Sequence, residues 1–149
     1  MEQKPNKEQV VPSASSSEAC TDPYLRCAFN GAALTALGIS NSSLLAHSPQ
    51  GCEYLVDNAF ASQECDYMET MTLCTKLCVD EIVHGGEDIL ILALTIREAK
   101  DLPISALFVL SACGPEIIGD DIVGVCESLQ PEVKFRLVPI ECAGFRGSV

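Results

Sequence analysis

Ile104-Ser105-Ala106-Leu107-Phe108-Val109-Leu110 is a near-continuous apolar run, with Pro103 before it and Ser111 and the Gly114-Pro115 pair after it. A strand with one wet face alternates apolar and polar residues, whereas an unbroken apolar run fits a strand covered on both faces, as in a parallel sheet. The flanking stretches agree. Upstream, Glu87 to Lys100 carries Ile89, Leu92, Ala93 and Ile96 on one helical side, after the Gly85-Gly86 pair and a strand candidate, Val79 to His84. Downstream, a helix is expected from about Asp120 to Leu129, its acidic start suiting the helix dipole. Lys134 to Ile140 reads as a strand that Pro139 places at an edge or strand end. Strands alternating with helices through short connections imply right-handed crossovers. The expected fold class is therefore α/β, a Rossmann-like parallel sheet with flanking helices.

Nearer the N-terminus, Ala28 to Leu37 suits a short buried helix with Gly38 as C-cap, and Ser43 to His47 a short strand. Glu53 to Ala61 reads as a helix opened by Cys52, with Tyr54, Leu55, Asn58 and Ala59 on one face. Residues 62–70 are polar and read as loop. Residues 1–22 are polar too, with Pro5, Pro12 and the run Ser13 to Ser17. They bury too little apolar area to offset the entropy of ordering, so a disordered tail is expected there, Cys20 included. The ordered domain is expected over residues 23–149, and a length of 149 residues supports one domain.

Composition narrows the function classes. Aromatics make up 5 % of residues and Trp is absent, leaving little for bases to stack on. The formal charge of -12 repels phosphate backbones and anionic lipid, so neither nucleic acid nor membrane is an expected partner. Charges break every apolar run well short of a membrane span. Nine cysteines are far more than ordinary usage. A disulfide framework needs a secreted context, and the start, Met1-Glu2-Gln3-Lys4-Pro5, has no apolar leader. The expected location is cytoplasmic, with the thiols free or metal-bound.

Three of those thiols share a setting. Cys27, Cys52 and Cys113 each lie near small residues or Gly, where backbone can approach something bulky and sulfur can point at it. That pattern suggests a metal cluster; the alternative is three buried small hydrophobes. In parallel sheets ligands gather beyond the carboxyl ends of the strands, where His47 to Cys52, His84 to Gly86, Ser111 to Pro115 and Glu141 to Gly144 are expected. Cys52 and Cys113 then share one side of the sheet, and Cys27 joins them only if its helix packs across that end. Cys74 and Cys78 share a face if their segment is helical, a candidate metal pair. Cys65, Cys126 and Cys142 read as packing residues. His47 either donates to a cluster sulfur or holds a strand end, and His84 has the weaker case. Asp120 and Asp121 read as helix caps rather than an acid-base or magnesium pair. Arg146 fits a cluster edge or a subunit contact. Gly85-Gly86 resembles a phosphate cradle but lacks the rest of any nucleotide motif.

Taken in order, Cys27-Ala28-Phe29-Asn30-Gly31-Ala32, His47-Ser48-Pro49-Gln50-Gly51-Cys52, Val83-His84-Gly85-Gly86-Glu87, Cys113 with Ile118-Gly119-Asp120-Asp121-Ile122, and Glu141-Cys142-Ala143-Gly144-Phe145-Arg146-Gly147 resemble the landmarks of nitrogenase component 1 type oxidoreductases. The separation of Cys27 from Cys52 matches the branch holding the alpha-type subunits and the cofactor scaffold. The resemblance covers roughly residues 23–149 and implies the family's N-terminal, cluster-binding domain, with the later domains absent. It further implies an iron-sulfur cluster, four-iron or eight-iron P-cluster type, ligated by Cys27, Cys52 and Cys113 and shared with a sister component 1-type subunit. An ATP-dependent iron protein would then deliver low-potential electrons, so the chain would be part of an oxidoreductase rather than catalytically complete. The alternatives are a scaffold for metal cofactor assembly and a non-catalytic remnant without cluster. Three thiolates are one short of a four-cysteine iron-sulfur site. Two positions depart from the pattern: His84 replaces an aromatic residue and Ser48 a frequent Gly.

Overall fold

The structure, a computed structural model, describes residues 27–61, 72–95 and 103–146. Among them, β1 (Ser42–His47), β2 (Thr72–Cys74), β3 (Ala106–Ser111) and β4 (Arg136–Glu141) form one sheet in the order β2-β1-β3-β4. Every pairing is parallel, with Leu44 opposite Thr72, Leu44 opposite Phe108, and Phe108 opposite Val138. The Rossmann-like expectation therefore holds. β4 is an edge strand, which tolerates the donor missing at Pro139.

The sheet is covered on both faces. Side chains alternate along each strand, so Leu45, Leu107, Val109 and Leu137 pack with α4 (Glu87–Thr95) and α6 (Ile122–Leu129) through Leu90, Leu94, Ile122 and Val125. Leu44, Ala46 and Leu110 face the other way, against Phe29, Ala33 and Ala36 of α1 (Ala28–Leu37) and Val56 of α2 (Gln50–Ala61). The apolar run from Ile104 to Leu110 supplies the central strand, β3: Leu107 and Val109 belong to one core and Leu110 to the other. Truncating such a buried leucine to alanine costs about 2–5 kcal/mol.

Several local expectations need correction. Val79–His84 is not a strand but a helix, α3. Val79, Ile82 and Val83 recur at i, i+3 and i+4, the helical period, and all three are exposed. Glu81 reaches back to accept the Cys78 N–H at 2.7 Å, and Gly85, at φ 101°, stops the helix. The strand neighbouring β1 is instead β2, too short to show an alternation. The Gly114-Pro115 pair after β3 lies within a further helix, α5 (Cys113–Ile118), ended by Gly119 in the left-handed region at φ 85°. α2 starts at Gln50, so Cys52 lies within its first turn, and the buried side chain is Val56 while Tyr54, Leu55 and Asn58 are exposed. In α4 the buried side chains are Leu90 and Leu94 rather than Leu92. The expected tail with Cys20, the 62–70 loop with Cys65, and the end of the 87–100 helix lie outside the described residues.

Candidate functional site

The sheet order decides where a ligand fits. From β1 the chain returns to β2 on one side, while β3 lies on the other, so the carboxyl ends of β1 and β3 flank a topological switch point. Cys52 follows β1 in the first turn of α2, and Cys113 follows β3 as the first residue of α5. Cys27 is the N-cap residue of α1. That helix lies along the sheet face, with Ala33 and Ala36 in the core shared with Leu44 and Leu110, and its N-terminal end meets the short turn Gly144–Arg146 after β4, which brings Cys27 to this end.

Gly144 shows how close the thiols come. A Cβ there would stand 3.2 Å from the Cβ of Cys27 and 3.3 Å from the Sγ of Cys113, so only a hydrogen fits comfortably between them. The Gly144 N–H donates to the Cys113 sulfur at 3.1 Å. Burial pushes the Cys52 thiol above its usual range, and the neighbouring thiols of Cys27, Cys113 and Cys74, in that order, push it further. All these cysteines are free, with Cys27 and Cys113 exposed. No group of three His, Cys, Asp or Glu among the described residues closes around a single metal ion. The thiols therefore stand at one rim, spaced more widely than a mononuclear site requires.

The remaining candidates sort by their bonds. Cys142 is buried, donates to the Ser111 carbonyl at 3.4 Å, and is pushed up to about 12, first by burial and then by Glu116. Burial pushes Cys126 up to about 11. Both act as packing residues. Cys74 and Cys78 do not share a helix face: Cys74 ends β2 and Cys78 caps α3. Cys74 lies instead beside the chain leading into α2, its sulfur 3.7 Å from the Ser48 hydroxyl and 3.6 Å from the Ser48 carbonyl.

His47 is fully buried, and both its nitrogens are engaged. Nε2 lies 3.0 Å from Asp120 Oδ2 and Nδ1 lies 3.2 Å from the Thr75 hydroxyl. Burial holds its pKa below the usual value, partly offset by Asp120 and Glu87, so the ring is neutral. A carboxylate only accepts, so Nε2 carries the proton and the Thr75 hydroxyl donates to Nδ1. No donor is left for a cluster sulfur. The other Asp120 oxygen accepts the Gly86 N–H at 2.9 Å, which removes that amide from any phosphate cradle. Of the two aspartates only Asp121 is a cap, accepting from Gly124 N at 2.8 Å. His84 Nδ1 lies 3.0 Å from the Asp80 carbonyl within α3. Arg146 pairs with Glu116 and, at 3.0 Å, with Glu141, fastening the Gly144 turn to α5. Burial would raise the Glu116 pKa, but bonds from Ser111, Arg146 and the Ala143 N–H together hold it lower than usual.

Two neighbours of the thiols were not legible as such. Gly144 sits in a quoted motif, but nothing in the sequence places it between two thiols. Cys74 was named only as half of a pair with Cys78, because the short strand it ends, Thr72–Cys74, was not expected. Among the described residues, one buried side-chain nitrogen or oxygen lacks a partner: Asn30 Oδ1, in the first turn of α1 after Cys27.

A parallel α/β domain with thiols gathered at its switch point defines the class. Residues 27–149 match the model of nitrogenase component 1 type oxidoreductases, and the chain belongs to that family. Among its relatives, the nitrogenase iron-molybdenum cofactor biosynthesis protein NifE of Bradyrhizobium diazoefficiens is 35 % identical over 82 % of this chain and 22 % of its own length. The protein of the same name from Mesorhizobium japonicum is 36 % identical over 88 % of this chain and 28 % of its own. The chain thus spans less than a third of these relatives. The solved structure described as "Nitrogenase Cp1 at pH 5" shares the fold, with a TM-score of 0.67 at 23 % identity over 83 % of this chain and 26 % of that one. No helix among the described residues is long and apolar enough to cross a membrane.

Proposed function

We propose that this chain is the cluster-bearing domain, over residues 23–149, of a nitrogenase component 1-type complex, with Cys27, Cys52 and Cys113 as thiolate ligands of an iron-sulfur cluster. The convergence of these thiols at one rim carries the reading: Gly144 touches two of them, and both are felt at the third. The donor set fits, because thiolates are the ligands such clusters take. Wide spacing also fits, since a polynuclear cluster presents each thiolate with a different iron. The Gly144 N–H would temper the charge on the Cys113 sulfur, a contact of the kind that tunes a cluster's potential. Exposed apolar side chains surround the rim, among them Val79, Val83 and Ile117, with Tyr54 and Leu55 on α2 and Phe145 after β4. A sister component 1-type subunit covering them would keep the cluster dry.

Of the two roles such a domain can play, a scaffold on which a metal cofactor is assembled is favoured by the biosynthesis proteins among its relatives. Low-potential electron transfer from an ATP-dependent iron protein is the second reading, supported by the oxidoreductase family. Anaerobic reconstitution with ferrous iron and sulfide tests both at their root. The chain should take up iron and sulfide with broad visible absorbance, and a variant with Cys27, Cys52 and Cys113 all changed to Ser should not. An iron-free wild type, or a triple variant that loads equally, overturns the proposal. Transfer of the bound metal to an apo-acceptor then supports the scaffold, and reversible reduction by the iron protein supports electron transfer.

A further inference from the structure

We propose that Glu116 is a positioning residue of the thiol rim: its carboxylate holds the Gly144 N–H on the Cys113 sulfur and so helps to set the reduction potential of the cluster that this sulfur ligates. The inference rests on the cluster reading above and names what tunes one of its ligands.

The carboxylate gathers donors from outside its own helix. Glu116 lies in the first turn of α5, the turn that Cys113 opens, and its side chain is 6 % exposed. Oε1 accepts the hydroxyl of Ser111, the last residue of β3, at 2.6 Å, and the Ala143 N–H, just beyond β4, at 2.9 Å. Oε2 accepts from Arg146 Nε, and the same guanidinium reaches Glu141 at 3.0 Å. A carboxylate that served only α5 would face the free N–H groups of that helix. These partners lie instead on β3, after β4 and in the turn that follows.

Ala143 and Arg146 bracket Gly144, so one side chain grips the turn before and after the donor. The Gly144 N–H belongs to the planar peptide that joins it to Ala143. Holding the Ala143 N–H therefore limits how that peptide can swing, and its N–H points at Cys113 Sγ from 3.1 Å. Because Glu116 and Cys113 share a helical turn, donor and acceptor are fastened to each other through it. Burial works against a charge at Glu116, but bonds from Ser111, Arg146 and the Ala143 N–H outweigh it and keep the acceptor ionised. An N–H aimed at a ligand sulfur stabilises the added negative charge of a reduced cluster, which raises its potential. A turn released from Glu116 loses that stabilisation.

The test compares Glu116→Ala with Glu116→Gln in the full chain, reconstituted anaerobically with ferrous iron and sulfide and followed by redox titration of the cluster. Both variants lose the same charge, but glutamine keeps an oxygen for Ser111 and Ala143, so their difference reports the grip on the turn alone. The midpoint should be more negative in Glu116→Ala than in Glu116→Gln at equal iron content. In the iron-free proteins the Gly144 amide should exchange with deuterium about tenfold faster in Glu116→Ala than in wild type, and Glu116→Gln should stay close to wild type. If Glu116→Ala does not fold, Glu116→Asp takes its place: it keeps the charge, falls a methylene short of Ala143, and should titrate more negative than wild type. Equal midpoints in Glu116→Ala and Glu116→Gln, or in Glu116→Asp and wild type, overturn this inference and leave the cluster reading standing. So does a Gly144 amide that exchanges at the wild-type rate in Glu116→Ala. A wild type that binds no iron overturns both.

Discussion

The end of the sheet carries two groups of polar side chains on opposite faces, and they are finished differently. Towards α4 and α6, His47, Asp120, Thr75 and the Gly86 amide form a closed network in which each ring nitrogen and each carboxylate oxygen has a partner. Towards α1 and α2, Cys27, Cys52, Cys113 and Cys74 stand free and partly exposed. Hydrogen bonds within the fold consume the chemistry of the first group and leave the second available. A satisfied buried network makes a structure more rigid. Thiols held in no disulfide at a switch point remain able to take a ligand. The difference also explains why the histidine in the resemblance motif is structural here while the cysteine that ends the motif is the candidate ligand.

The contrast is broken most directly at Asp120. Asp120→Ala strips the partner from both the His47 Nε2–H and the Gly86 N–H, and should cost about 3 kcal/mol in denaturant unfolding. A loss under about 1 kcal/mol would mean that the network does not hold the rim. Gly86→Ala follows at about 2–3 kcal/mol, since the added Cβ would meet Asp120 Oδ2 at 2.5 Å and both His47 Cε1 and Leu77 Cδ2 at 3.1 Å. Neither change touches a thiol, so the proteins that remain folded should load iron like the wild type.

A smaller effect comes from pH. His47 titrates near 6.5 in the unfolded chain and lower in the folded one, because burial disfavours its charged form. As pH falls through 6.5 the unfolded state takes up the proton first, so stability should decline until the folded value is reached and gain no further slope from His47 below it. Unfolding curves of wild type and His47→Asn between neutral and mildly acidic pH would check this; an equal slope in both would remove His47 as its source. The smallest effect on folding is expected on the opposite face. Gly144→Ala has a flexible thiol as one neighbour and should cost less than about 1 kcal/mol, yet its methyl wedges between Cys27 and Cys113. Reduced iron retention in a normally stable Gly144→Ala protein is the expected signature, and unchanged retention would show that this contact does not shape the site.

The central strand and the three candidate cysteines were named from the sequence alone because both are carried by local pattern. An apolar run too continuous for a half-wet strand could only be interior, and thiols set among small residues formed part of an ordered series of motifs. Val79–His84 misled because a short segment rich in Val and Ile satisfies two periods at once. The decision came from the Glu81 cap and the positive φ of Gly85, which no propensity expresses. Partnership was beyond any local reading. Asp120 and Asp121 are adjacent in the chain, yet one caps a helix and the other anchors a histidine two strands' connections away. Sequence determined which residues meet the conditions for the interior and for soft ligands, since hydrophobicity and thiol chemistry belong to the residue itself. Only the tertiary structure decided that α1 brings Cys27 to the carboxyl ends of the strands, that Gly144 lies against both Cys27 and Cys113 and that Cys74 lies beside the entry to α2, because distance between remote residues is fixed by strand order and packing.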